Sequence, residues 1–577
     1  MKIKKLMAVV LSAVMVTSVL AGCGKNDHSN QGSENGGDKD TVSTEMAGDQ
    51  VLNLLFDEPT TLDVNDVRNA SEFQVLSQVQ EGLFRTYTDE NGNDEIVLAG
   101  AEDYTVSEDN LVYTFKLRDH NWSDGQPVTA QHYVDSFLRL LNPEKAFSYS
   151  FMGYDIKNGE AYFNGEVGAE EVGVKALDEK TLEITLGQVT PYFLKKLTNV
   201  CFYPVRLDVI EAGGETWATD DKVQVYNGPF TIKEWVKENS MTLVKNENYW
   251  DAENVKLTEV NMKTVDETAT RSLLFESKEL DVVVGEAEYA DKWVKMAEEG
   301  KCQFISGKYP GMTFIGFNQH TGGQSGLMNN AKIRLALSLS IDRQEFVDLI
   351  YGRYTPANGL IPPGIQVGDL EYRDEVKDEP LAPLVEKYNS PEKLQELFKE
   401  GLKELGIYKE LSEIELTYIA TANNTVAKNV LEYYMQSWQD KLGIKINMNI
   451  LADSSLFVTE RNENRYDILA NGWHGDYSDP MTFMDLWLTG SGYAKFFGGY
   501  KSEKFDKLFE ELAGEIDDAK RVETYKELER ILVAEDAGVA PIYYQDSQRF
   551  VQNHVQNLST PLFGPALEFS RSYISAK

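Results

Sequence analysis

Residues 390–450, SPEKLQELFKEGLKELGIYKELSEIELTYIATANNTVAKNVLEYYMQSWQDKLGIKINMNI, switch between two apolar periods, and that switching decides the fold. Ser390-Pro391 is a helix start, followed by Leu394, Leu397, Phe398, Leu402 and Leu405 at helical spacing and stopped by Gly406. Ile414, Leu416 and Tyr418 then alternate as in a half-buried strand. Val426, Val430, Tyr434, Trp438 and Leu442 return to the helical period, and Ile444, Ile446, Met448 and Ile450 to period two. Strand, helix, strand in this order is a βαβ unit of an α/β lobe. The apolar stripes themselves are core and are assigned no function.

Upstream, Leu111, Tyr113, Phe115 and Leu117 alternate as a strand. After the turn Ser123-Asp124-Gly125, Thr129 is placed as N-cap of a helix carrying Tyr133, Val134, Phe137, Leu138 and Leu141, which Pro143 stops. The whole chain has 577 residues, enough for three to four domains at about 150 residues each. Its 42% apolar and 26% charged residues are a globular composition. A formal net charge of −37 repels phosphate backbones and argues against nucleic acid as a partner. No repeat at periods of about 20–50 residues is visible. Cys23, Cys201 and Cys302 form no disulfide framework, and neither they nor the scattered histidines have metal-ligand spacing, so no metal or cofactor is implied.

The first residues are read as an address. Lys2, Lys4 and Lys5 precede the uncharged stretch Leu6–Leu20, fifteen residues that as a helix span about 22 Å, too short for the bilayer core. Residues 1–22 therefore read as a signal peptide. Leu20-Ala21-Gly22-Cys23 resembles the lipobox of bacterial lipoproteins, which implies that Cys23 carries the lipid and anchors the protein on the extracytoplasmic face of the cell membrane. Residues 23–50 are nearly free of apolar side chains and read as a flexible tether.

Across the body, the motifs carry a resemblance. Tyr113-Thr-Phe115-Lys-Leu117-Arg118, Trp122-Ser123-Asp124-Gly125-Gln-Pro127-Val128-Thr129-Ala130, Val134 and Ser136 closely match the signature segment of the family 5 extracellular solute-binding proteins, the peptide-type receptors of ABC importers. Glu58-Pro59-Thr60-Thr61-Leu62-Asp63, Glu81-Gly82-Leu83, Asn227-Gly228-Pro229-Phe230, Asn248-Tyr249-Trp250, Arg334-Leu-Ala336-Leu337 and Ile341-Asp342-Arg343 follow in the family's order. The resemblance runs from about Val51 onward and is nearest to the oligopeptide-binding members. It implies an α/β, two-lobed clamshell of the periplasmic-binding-protein kind with an extra domain and a hinge between lobes. Lobe I would take 51–85, 222–308 and 546–577, the extra domain 86–221 and lobe II 309–545.

The same resemblance implies the site. In Asn471-Gly472-Trp473-His474-Gly475-Asp476-Tyr477-Ser478-Asp479-Pro480, expected to follow a short strand Tyr466–Leu469, Asp476 stands where the family's aspartate pairs with a peptide α-ammonium. An enclosed cationic group needs such a fixed carboxylate, since stranding one charge of a buried pair costs about 3–5 kcal/mol. Trp473 is placed to line an apolar side-chain pocket, and His474 and Tyr477 flank the acid. Asp479 before Pro480 reads as turn chemistry. His320 matches a place where a basic residue can sit, and a solvated loop histidine is the other reading. Tyr543, with Tyr544, is placed to line the cleft at the lobe junction, hinge packing being the other reading.

Departures bear on the ligand's far end. Ala470, and Ala427 beside Lys428, stand where relatives use basic groups for the peptide C-terminus, and Asp453-Ser454-Ser455 replaces a pocket aromatic. Weaker C-terminal anchoring and a wider or more polar pocket are expected. No Gly-x-Ser-x-Gly elbow and no Walker A sequence occurs, so catalysis is not expected and the ATPase subunits would be separate chains. The resemblance thus implies a monomeric, lipid-anchored receptor that takes oligopeptides to an ABC permease. Another ligand on the same fold, such as a dipeptide, a nickel chelate or a sugar, and a signalling-peptide receptor both stay open.

Overall fold

In a computed structural model the described residues are 45–576, apart from 90–91, 286–288 and 423. The signal peptide, Cys23 and most of the expected tether lie outside them.

Three sheets carry the architecture. Val51–Leu55, Glu259–Lys263, Ser240–Lys245 and Phe230–Val236 form one in that order, the first pair parallel and the others antiparallel. Ala101–Val106, Val112–Leu117, Thr181–Thr185 and Val174–Asp178 form a second, fully antiparallel sheet. On it lies the helix Ala130–Leu140, with Thr129 in extended conformation at its N-cap and Tyr133, Phe137 and Leu140 buried. The third sheet runs Val282–Val284, Val539–Val551, Gln303–Phe317, Ile468–His474, Glu415–Thr421, Lys445–Leu451. Its last two strands pair in parallel and are joined by the helix Thr425–Leu442, which is the βαβ unit expected from the apolar periods. Gly443 closes that helix at φ 72°, a left-handed position that costs an L side chain strain.

Two large apolar cores dominate the body, with two smaller clusters beside them. The first and second sheets share one apolar core, containing Leu52, Val260, Phe115 and Phe137. The third sheet builds a separate core with Phe314, Tyr418, Trp438 and Phe483. The two long strands Gln303–Phe317 and Val539–Val551 pair antiparallel, and their register breaks between Lys308 and Met312. A break of this kind bends a ladder locally. Late residues return to the first core. Arg85 is buried between Glu81 and Glu568, 2.6 Å from the latter. Gln50 bonds the Ile574 carbonyl and accepts from its amide, at 2.9 Å each. Among the described residues no helix is long and apolar enough to cross a membrane.

Candidate functional site

Asp476 stands where a strand gives way to a pinned loop. The strand runs Ile468–His474, so Asn471–His474 are part of it and do not follow it as expected. These four residues lie opposite Phe314, Thr313, Met312 and Gly311. Gly472 serves a close approach there: a Cβ on it would lie 2.9 Å from the Met312 carbonyl oxygen.

The loop after the strand is held from below. The Asp476 amide donates to Thr482 Oγ1 at 3.1 Å. Asp479 accepts from the Met481 amide at 3.1 Å, which is the turn chemistry read from sequence. It is also fully buried, accepting from Arg521 at 2.5 Å and from the Tyr525 hydroxyl at 2.7 Å. The loop from Asp476 to the short helix Met481–Met484 is therefore fixed at both ends.

The Tyr149 hydroxyl donates to Asp476 Oδ1 at 3.1 Å. Tyr149 is one member of a file of rings. Phe73 meets Tyr149 at 5.6 Å, Tyr149 meets Phe151 at 5.7 Å, Phe151 meets Tyr493 edge-on at 5.9 Å, and Tyr493 meets Trp473 edge-on at 4.9 Å. Phe73, Tyr149 and Phe151 pack on the first core, Tyr493 and Trp473 on the second, so the file crosses from lobe to lobe. Edge-to-face contacts of this kind contribute about 0.5–1.5 kcal/mol each beyond area burial.

Electrostatics mark the same place. Burial pushes the Asp476 carboxyl up to about 7, against the Tyr149 bond and the nearby Lys196. Burial pushes Asp485 up to about 7 as well; Lys196 opposes this, and the carboxyls of Asp476 and Asp155 add to it. Lys196 is itself paired with Asp155. Asp476, Asp485 and Trp473 each keep partial exposure, yet protein surrounds the two acids closely enough to desolvate them. His474 behaves alike: its side chain is exposed, its ring lies 4.7 Å from that of Tyr309, and burial pushes its imidazole down to about 4.

The other expected residues are placed elsewhere. Tyr477 is buried, stacked on Tyr192 at 5.1 Å with the planes 7° apart, and Lys196 Nζ lies 5.5 Å from its ring centroid. Beside it, the half-buried Lys195 donates its ammonium to the Ser478 and Gly368 carbonyls at 2.9 and 3.3 Å. Tyr543 is buried, stacked on Tyr354 at 5.0 Å and bonded to the Tyr351 hydroxyl at 3.2 Å. Tyr544 donates to Glu379 at 2.6 Å. His320 is exposed and contacts the Lys495 carbonyl at 3.1 Å. None of these three contacts joins the group around Asp476. Ala470 and Ala427 share a cavity of about 340 Å³ with Tyr351, Tyr418, Val430 and Phe457. Ser454 and Thr421 line it as well, and no basic side chain does. Asp453 turns away from any pocket role to cap the helix Ser454–Asn462 through the Leu456 amide at 2.9 Å.

Tyr149, Phe151, Lys196, Asp485 and Tyr493 were not singled out from sequence. Tyr149-x-Phe151 and Tyr493 carry no motif, and Asp485 lies in an ordinary helical-looking run.

Comparison with known proteins agrees with this geometry. The family model described as bacterial extracellular solute-binding proteins, family 5 Middle, matches residues 95–495. The dipeptide-binding protein DppE of Bacillus subtilis is 29% identical over 559 residues, covering 96% of each chain. The oligopeptide-binding protein OppA of the same organism is 29% identical over 553 residues, covering 94% of each. Among solved structures, the substrate-binding domain of an oligopeptide ABC transporter from Bacillus anthracis superposes with a TM-score of 0.76 at 30% identity, covering 92% of this chain and 100% of that one. Listeria monocytogenes OppA bound to peptide gives 0.74 at 30% identity, with the same coverage. The two cores joined by paired long strands are thus the lobes of a periplasmic-binding-protein clamshell, and the chain belongs to the bacterial extracellular solute-binding proteins of family 5.

Proposed function

We propose that the protein is an extracytoplasmic receptor that captures oligopeptides between its lobes and hands them to an ABC permease driven by separate ATPase subunits. The observation that carries this reading is Asp476. It is a carboxylate held by Tyr149 in an enclosed space, roofed by rings from both lobes. A peptide α-ammonium supplies the charge that such a desolvated carboxylate lacks. Trp473 and Tyr493 offer non-directional area to a first side chain of varied identity. The names of the relatives, dipeptide- and oligopeptide-binding proteins, support the ligand class.

In this reading the lobes turn about the register break at Lys308–Met312, where both long strands pass from one core to the other. Lys195 and Tyr192, from the antiparallel-sheet region, close on Ser478 and Tyr477. The peptide is bound and released intact. Cys23, supported by the Leu20-Ala21-Gly22-Cys23 run, carries the lipid anchor. The receptor acts as a monomer.

Calorimetry on the full-length protein tests the reading, after carried-over ligand is removed by unfolding and refolding. A degenerate pentapeptide pool should give binding heat that is lost when the same pool is N-acetylated. Equal heat from both pools would move the ammonium anchor away from Asp476, and heat from neither would end the peptide reading.

A further inference from the structure

The strand that carries Trp473 has an open edge. Ile468–His474 pairs along its whole length with Gly311–Phe317 on one side. On the other side only Ile468 and Leu469 are paired, with Tyr418 and Ile419, and among the described residues nothing pairs there with Ala470–His474. The strand Glu415–Thr421 stays with Lys445–Leu451 instead, so the two strands fork beyond Leu469. The cavity of about 340 Å³ lies in this fork, just past the carboxyl end of Glu415–Thr421, where open α/β sheets hold their ligands. Thr421 and Ala470 line it from the two strands, Ala427 and Val430 from the helix Thr425–Leu442, and Phe457 from the helix Ser454–Asn462. Tyr418 in the lining is fully buried and Thr421 is exposed, so the space runs from the core to an open mouth. No charged side chain lines it.

Resting on the peptide reading above, we infer that this cavity is a subsite for one large apolar side chain of the bound peptide, leucine or phenylalanine, and that Ala427 and Ala470 set this specificity by leaving the space open. An extended peptide that adds to the open edge with its ammonium on Asp476 runs back past His474 towards Ala470. Peptide and strand both advance about 3.3 Å per residue, so the third to fifth residues of the peptide come level with the fork. Their side chains alternate between faces, and at least one of them is directed at the cavity. A large apolar side chain leaves water there and covers the apolar wall. A lysine or glutamate would bring a charge to a wall that holds no opposite charge to answer it. The two alanines are the smallest side chains in the lining, and a larger residue at either one takes up the room the ligand needs.

Calorimetry on the full-length protein, freed of carried-over ligand, compares pentaalanine with pentapeptides in which phenylalanine, or lysine, replaces the third, fourth or fifth alanine. At one of these positions the parent should bind the phenylalanine peptide roughly tenfold or more tightly than pentaalanine, the gain from burying one such side chain. Lysine at that position should give no gain. Ala427→Leu, a change that a helix accepts at little cost, should cut the phenylalanine gain to within about twofold. Its melting curve reports that it is folded, and Ala427→Met replaces it if it is not. No phenylalanine gain at any position in the parent, an equal gain from lysine, or an undiminished gain in the folded variant overturns the inference and leaves peptide capture standing. No binding of any of these peptides to the parent overturns peptide capture and this inference with it.

Discussion

The Tyr149 hydroxyl reaches Oδ1 of Asp476 across 3.1 Å, joining residues 327 positions apart in sequence. It is a hydrogen bond to the charged form of the acid, and it opposes the upward push that burial exerts on that carboxyl. Replacing Tyr149 by phenylalanine keeps the ring contacts with Phe73 and Phe151 and removes only the donor. Affinity for a free-amine pentapeptide should fall by roughly three- to tenfold, in line with about 1 kcal/mol for one such bond. Calorimetry on the variant decides it, and unchanged affinity would detach Tyr149 from the site.

Asp476→Asn should change stability in a pH-dependent direction. In the folded, ligand-free protein this carboxyl sits at about 7, well above its unfolded value. The folded state therefore holds the proton more tightly, so the group's contribution is fully present below the unfolded value and is lost as pH rises towards 7. Asparagine does not ionise and does not suffer that loss. Melting curves without ligand should show the variant about 1 kcal/mol more stable than the parent at pH 8, a figure discounted for partial exposure, with the gap closing near pH 4. A gap independent of pH would mean that Asp476 is not desolvated in solution.

Lys195 is half-buried with its ammonium on the backbone carbonyls of Ser478 and Gly368, and desolvation lowers its pKa. Lys195→Met keeps most of the stem volume and removes those bonds. Peptide dissociation should speed up by roughly three- to tenfold with little change in association, because closure contacts act mainly on off-rates. Stopped-flow displacement of a labelled pentapeptide measures this, and an unaltered off-rate would place Lys195 outside the closing contacts.

Arg521→Met should be costly far from any ligand. It leaves Asp479 buried with the Tyr525 hydroxyl and the Met481 amide but without its ion-paired cation, at an expected cost of about 3 kcal/mol. Adding Asp479→Asn should recover much of that loss, since the stranded charge is gone. Denaturant unfolding of the three proteins checks the pattern. A double variant no better than Arg521→Met would show that the loop depends on the carboxylate itself.

Much of the fold was legible because its elements are locally marked. Thr129 and Ser390 sit at the N-caps assigned from sequence, and the apolar periods between 390 and 450 give two helices and two strands where expected. The expected strand ended at Leu469, whereas it runs on to His474 with Gly472 packed tightly against the Met312 backbone. In the site, Asp476 and Trp473 lay inside one readable segment. Tyr149, Phe151 and Lys196 come from a part of the chain about three hundred residues away, and nothing local ties them to Asp476. Tyr543 and His320 had suitable chemistry, but only tertiary packing could tell that their contacts are with Tyr351 and the Lys495 carbonyl.

The long-range ties of the first lobe impose an order on biosynthesis. Every strand of the third sheet lies between residues 282 and 551, so the second lobe can assemble while the chain is still emerging. The first lobe cannot: Arg85 waits for Glu568, and Gln50 waits for Ile574, 524 residues later. Until then the core around residues 50–85 stays unfinished, with its apolar surface open to chaperones and proteases.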